Sequence, residues 1–303
     1  MRQKLLKRIS GSASFRKLIG RPFLLVNEWI WNRLPERASK TRIAIAYGRF
    51  LHSLVAIRSL RVQYHGTYFL RNRPELDLMC SLLKSWPQGS TLRLAIVACS
   101  NGAEVYSFVW RLRSFRPDLK LIVNAIDISS EIVRVAKEGK YSLGRNELMD
   151  SPIFERLSEE EMNAMFDRDG DSAIVKPWIR EGIAWEVGDA GDPQVAARLG
   201  PQDILVANRF LCHMSPNDAE TCLRKLARIV RPGGYLFVSG VDLNVRTRVA
   251  RELKWSPIPE LLEEVHDGDV SVRRDWPWRY WGLEPFDAKR SDSAVRYASV
   301  FGL

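Results

Sequence analysis

From Leu92 onward, apolar runs of strand length alternate with stretches of helical periodicity, and few folds accommodate that alternation. The runs are Leu92 to Ala98, Leu121 to Ile126, Ile183 to Val187, Asp203 to Ala207 and Tyr235 to Val241. The pattern predicts an α/β domain with a Rossmann-like, doubly wound, mostly parallel sheet and crossover helices. After the first run, Val105, Phe108, Val109 and Leu112 share one helical face. After the second, Ser129 or Ser130 is placed to cap a helix that carries Ile132, Val133 and Ala136 and stops near Gly139. After the fourth, Ser215, Pro216 and Asp218 form a helix start, and Ala219, Cys222, Leu223, Leu226 and Val230 form its buried stripe. Pro232, Gly233 and Gly234 then break the helix and turn the chain into the last run.

These signals divide the 303 residues into a helical N-terminal segment over 1–62, the α/β domain over 63–245 and a C-terminal extension over 246–303. Within the domain, 141–182 is too long and polar for a crossover and reads as an inserted subdomain of helices and turns. Charge separates the segments further. Residues 1–61 hold 14 Lys/Arg against Glu28 and Glu36, a net of +12 out of +10 for the whole chain, so the remainder is near −2. Such a leader suits an acidic partner: a protein surface, an anionic membrane or nucleic acid. Its apolar stretch, Phe23 to Trp31, is interrupted by Asn27 and Glu28 and falls far short of the ~20 residues of a membrane span. With no clear signal-peptide cleavage site either, a cytoplasmic chain is expected. Cys80, Cys99, Cys212 and Cys222 form no C-x-x-C pair, and the four histidines stand apart, so neither a metal site nor a disulfide framework is expected. The rings of Trp276, Trp278, Tyr280 and Trp281 read as core packing or as a cover for a substrate pocket.

In a doubly wound sheet, ligands bind beyond the carboxyl ends of the strands, so the residues that follow each run carry the functional information. The first run leads into Ser100-Asn101-Gly102-Ala103-Glu104, where Gly102 suits close backbone approach and Glu104 opens the next helix. Neither G-x-G-x-x-G nor G-x-x-x-x-G-K-[ST] is present, which disfavours a pyrophosphate cradle. The second run ends in Asp127, placed to grip ribose hydroxyls, and the third in Gly188-Asp189-Ala190, placed to meet an adenine amino group. Three strand-end carboxylates without a phosphate loop point to S-adenosylmethionine.

The stretch Ala98-Cys99-Ser100-Asn101-Gly102-Ala103-Glu104-Val105-Tyr106-Ser107 resembles the C-S-x-G-E-E-P-Y-S signature of the CheR-type chemotaxis receptor glutamate methyltransferases. Thr67 to Pro74 is similar to the family's T-x-F-F-R-[DN] motif. Ala125 to Ile128 resembles its T-D-I segment, Ala136 to Tyr141 its A-x-x-G-x-Y, and Leu157 to Phe166 its L-S-x-x-x-x-x-x-Y-F. The likeness covers about residues 65–242 and closes with Ile229 to Val238. It implies a class I methyltransferase fold and O-methylation of a protein glutamate. It also implies cofactor contacts from Thr67, Arg71, Ala98, Gly102, Glu104, Asp127, Asp189, Ala190, Asn208 and Arg209, with Arg71 beside the substrate carboxylate. The chain departs from the family where Ala103 and Val105 replace a Glu and a Pro. It departs again at Asn208 to Met214, where the family reads R-N-V-x-I-Y-F: Arg and Asn are exchanged, and His213 stands at a tyrosine position.

A carboxylate acceptor is ionised at neutral pH and needs only alignment, which Arg71 would supply, whereas a hydroxyl of a small molecule or glycan needs a base, for which His213 is the candidate. A module that binds S-adenosylmethionine without catalysis is a further alternative. A nucleic-acid methyltransferase is disfavoured, because no N/D-P-P-Y/F-type motif is present.

Overall fold

The computed structural model describes residues 20–39, 41–58, 65–144, 153–268, 276–279 and 282–303. The rings of Tyr280 and Trp281 lie outside them. The chain forms two compact units, one from residues within 1–60 and 274–280, the other from 61–273 and 281–303. In the first unit, α1 (Gly20–Trp31) and α2 (Arg42–Arg58) flank a short helix, Glu36–Ser39. The edge of Trp31 meets Trp276 and Trp278, with ring centroids 5.6 and 6.3 Å away, so the second cluster of tryptophans packs within this unit.

The second unit begins with α3 (Arg73–Leu82), followed by β1 (Thr91–Val97), α4 (Ala103–Phe115), β2 (Lys120–Asp127) and α5 (Ser130–Glu138). Then come β3 (Lys140–Ser142), α6 (Glu159–Met165), β4 (Phe166–Asp169) and β5 (Ser172–Val175). The main sheet resumes with β6 (Ile183–Val187), α7 (Pro193–Leu199), β7 (Gln202–Val206), α8 (Pro216–Ala227) and β8 (Val230–Phe237). It closes with α9 (Leu243–Glu252), β9 (Ser256–Pro257), α10 (Ser293–Tyr297) and β10 (Val300–Gly302).

Strand order is β6-β2-β1-β7-β8-β10-β9, parallel through β8 and antiparallel at β10. Alternate residues of β1 enter opposite cores: Leu92, Leu94 and Ile96 on one face, Ala95 and Val97 on the other. Burial on both faces is why the central strands β1 and β7 read as near-continuous apolar runs. The caps form as the sequence suggests. Ser129 Oγ accepts from the Ile132 amide, Ser215 Oγ accepts from the Asp218 amide, and Gly139 ends α5 at φ +60°.

Three differences from the sequence reading have physical causes. The insert contains a three-stranded sheet, β3-β5-β4, besides its helix. Charged residues on the outer face of β4 dilute its apolar alternation, while Phe166, Ala173 and Val175 are buried. Second, β8 starts at Val230, before the Pro-Gly-Gly, and its pairing with β7 is irregular between Gln202 and Ile204. Third, the stretch expected as an extension after 245 supplies α9, β9, α10 and β10, so its end is part of the sheet. The buried Arg246 ties α9 to this edge, donating to the carbonyls of Val238 at 2.8 Å and Arg296 at 2.9 Å.

Candidate functional site

β1 and β7 are neighbours whose chains leave in opposite directions across the sheet, which opens a crevice at their carboxyl ends. A cleft lies there, lined by His65, Thr67, Arg71, Ala98, Ser100 and Glu104 on one side of the chain order and by Asp127, Asn208, Arg209 and His213 on the other. Eight residues singled out in the sequence meet in it: Thr67, Arg71, Ala98, Glu104, Asp127, Asn208, Arg209 and His213.

Three expected site residues are placed differently. Gly102 is buried at the N-cap of α4 with φ +87°, and a Cβ there would sit 3.0 Å from Ala136 Cβ and 3.1 Å from the Trp185 ring. The close approach it permits is to α5 and β6. Asp189 is exposed, and its Oδ1 accepts from the Gly191 amide at 2.7 Å; neither it nor Ala190 is among the cleft-lining residues. A strand-end carboxylate that caps its own turn cannot be told by sequence from one that faces a ligand.

The loop after β1 is built around Asp127. Its Oδ2 accepts from the Ser100 amide at 2.8 Å and its Oδ1 from the Ser129 amide at 3.1 Å. Each oxygen keeps a second lone pair, so the carboxylate is fixed by backbone and can still accept from a diol. Four non-glycine residues in or beside the cleft adopt positive φ: Leu70 at 50°, Ala98 at 54°, Ser100 at 49° and Arg209 at 59°. Backbone in this sparsely populated region concentrates at ligand sites, where the surrounding structure holds it. Arg209 is held against Gly240, where a Cβ would come within 2.5 Å of the Arg209 Cα.

At the back of the cleft, Asn208 joins two acids. Its Nδ2 donates to Glu104 at 3.0 Å and to Glu75 at 2.9 Å, while its Oδ1 accepts from the amide and hydroxyl of Ser239. Burial raises the Glu104 carboxyl above its ordinary range, opposed by the Asn208 hydrogen bond and the charges of Arg71 and Arg209. Glu75 is pushed up to about 8, first by burial and then by the charge of Glu104. Near neutrality Glu75 therefore keeps its proton. Glu75, buried behind the cleft lining, holds Asn208, and the sequence reading missed it. Asn72-x-x-Glu75 has the form of a helix-capping pair, and Asn72 does accept from the Glu75 amide, but the Glu75 carboxyl turns to Asn208 instead.

These groups fit a phosphate-free nucleoside that carries a positive centre. Asp127 offers a fixed pair of acceptors, and Glu104 is a desolvated carboxyl whose remaining acceptor capacity favours a cation.

Over residues 65–252 the chain matches the family described as CheR methyltransferase, SAM binding domain. It is 30% identical over 164 residues to chemotaxis protein methyltransferase 1 of Pseudomonas aeruginosa, a match covering 51% of this chain and 56% of that protein. Identity to chemotaxis protein methyltransferase Cher2 of Pseudomonas putida is 29% over 182 residues, covering 57% and 58%. With the chemotaxis protein methyltransferase of Campylobacter jejuni it is 27% over 228 residues, covering 72% and 81%. The chain thus spans little more than half the length of the first two relatives.

Proposed function

From the premise that this chain belongs to the CheR methyltransferase family, we propose that it methylates a carboxylate oxygen of a protein, forming a glutamate methyl ester. The observation that carries this reading is the convergence of Arg71, Glu104, Asp127 and Asn208, from four separate segments, on one cleft. When bound, S-adenosylmethionine supplies an electrophilic methyl group on a sulfonium. Asp127 holds the ribose hydroxyls, and Glu104, anchored by Asn208, accepts from the cationic end; Thr67, Ala98 and Arg209 line the same seat. Asp189 and Ala190, beyond the end of β6, are left to the rim.

Arg71 pairs with the acceptor carboxylate and orients one of its oxygens toward the methyl carbon. No base is required, because a carboxylate is ionised well below neutrality. The protein's contribution is alignment and exclusion of water. The acceptor is a protein, which the chemotaxis relatives support, and an acidic or receptor-like helical surface is what the family resemblance implies for it. The setting is cytoplasmic, and the basic residues of 1–61 hold the chain near an acidic partner, either protein or anionic membrane.

His213 lines the cleft as well, and it gives the second reading, a hydroxyl acceptor with His213 as base. Rates of label transfer from methyl-labelled S-adenosylmethionine to the protein and small-molecule fractions of a lysate separate the two. For a carboxylate acceptor, Arg71→Ala lowers the rate on the order of 10²-fold. In that case His213→Phe is mild, and the wild-type rate is flat between about pH 6 and 8. A rate that climbs through neutrality and falls on the order of 10² to 10⁴-fold in His213→Phe would establish the hydroxyl reaction instead.

A further inference from the structure

The helix α1 turns its apolar side outward. Phe23, Leu25, Val26, Trp29 and Ile30 are between 39% and 58% exposed. At 3.6 residues per turn they occupy one continuous half of the helix. The other half carries Leu24, Asn27, Glu28 and Trp31, all half-buried. Asn27 Oδ1 accepts from the Tyr47 hydroxyl of α2 at 2.6 Å, and Trp31 packs on Trp276. A helix that faces water shows the reverse arrangement, with polar residues outside. On α2 the outward stripe continues with Ile43, Tyr47 and Phe50, which are 84%, 41% and 41% exposed. Arg33, Arg37 and Arg42 are exposed beside these residues, and the Arg33 guanidinium lies 3.8 Å above the Trp29 ring.

The partner of such a face must be apolar beneath and anionic above. A second copy of the chain is a poor match, because it would bring another segment of net charge +12 against the first. An anionic bilayer supplies both properties. Trp and Arg favour its headgroup level, smaller apolar side chains enter the acyl boundary, and clustered basic residues are drawn to acidic lipid. No helix among the described residues is long and apolar enough to cross a membrane, which leaves α1 lying in the surface rather than spanning it.

We propose that α1 docks the chain onto the surface of an anionic lipid bilayer, with Leu25, Trp29 and Ile30 in the boundary between headgroups and acyl chains. This rests on the reading of residues 1–61 as a docking segment and is independent of the chemistry in the cleft. The test is co-sedimentation of the full chain with vesicles of equal parts phosphatidylcholine and phosphatidylglycerol, against vesicles of phosphatidylcholine alone. Binding is expected to the mixed vesicles, to be at least about tenfold weaker without the anionic lipid and to weaken at high salt. The triple variant Leu25→Ser, Trp29→Ser, Ile30→Ser keeps every charge and is expected to bind on the order of a hundredfold more weakly. Its calorimetric affinity for S-adenosylhomocysteine should equal that of the wild type, which keeps a failure of docking separate from a failure of the cofactor reading. Wild-type protein that does not sediment with mixed vesicles would overturn the proposal, whatever the variant does. So would a triple variant that binds as the wild type does, or a dimer that the triple variant abolishes while no vesicle binding is seen.

Discussion

The side chain on which most of the cleft depends is Asn208, because it satisfies two buried carboxyls and is itself fixed by Ser239. Glu75 is the more informative partner for a test of stability. Its pKa is raised from 4.5 to about 8, so its stabilising contribution is complete below the unfolded value and is lost as the pH rises through the folded one. Glu75→Gln keeps an acceptor for Asn208 and removes the charge. Thermal melts should therefore show near-equal stability of the two proteins at about pH 4.5 and an advantage of about 2 to 4 kcal/mol for the variant above pH 8. An advantage that does not change with pH would show that Glu75 is ionised in the folded chain throughout. At Asp127, replacement by Ala removes a carboxylate that two backbone amides hold in place. Calorimetry should find S-adenosylhomocysteine bound about 1.5 to 3 kcal/mol more weakly, with near-native binding counting against this seat. Asp127 was legible in the sequence because it ends an apolar run. Glu75 was not, because its spacing from Asn72 imitates a cap. The positive φ values of Ala98, Ser100 and Arg209 were equally hidden, since nothing in those residue types demands that conformation.

Among the elements, β1, β2, β6 and β7 were legible to within one residue because each is a run of mostly apolar residues, whereas β8 begins five residues earlier than its apolar run. The edge of the sheet was not legible. β10 is three residues long and reaches its place through side chains remote in sequence, so no periodicity announces it. Arg296 in α10 makes a two-pronged pair with Glu284, from Nε at 2.6 Å and from Nη2 at 3.0 Å, and also donates to Asn244 of α9 at 3.1 Å. Both partners of the pair are nearly buried. Arg296→Met removes one partner and leaves a carboxylate in a poorly hydrated site, at a cost of about 3 to 5 kcal/mol in denaturant unfolding. A cost under about 1 kcal/mol would mean that the pair is hydrated and that β10 is held by Val300 and Phe301 alone. The insert shows a related limit. Its hairpin packs Phe166 edge-on against Phe69 and Phe154, at 4.9 and 5.2 Å between ring centroids, but two strands of four residues, one of them charged at three positions, carry too little pattern to be read.

For the whole molecule, charge and chemistry divide between the two units: the basic excess falls in residues 1–61, and every cleft-lining residue falls between 65 and 213. Deleting residues 1–60 should change the affinity for S-adenosylhomocysteine by less than about threefold while abolishing salt-sensitive association with acidic surfaces. Loss of cofactor binding in a folded truncation would place the leader within the catalytic unit. If the cleft directs methyl transfer to a carboxylate, the new bond is an ester. Protein from a lysate incubated with this chain and methyl-labelled S-adenosylmethionine should carry label that mild base releases as methanol, with less label at limiting cofactor when Asp127→Ala replaces the wild type. Label that survives base treatment would show transfer to nitrogen or to a hydroxyl, and would contradict the account.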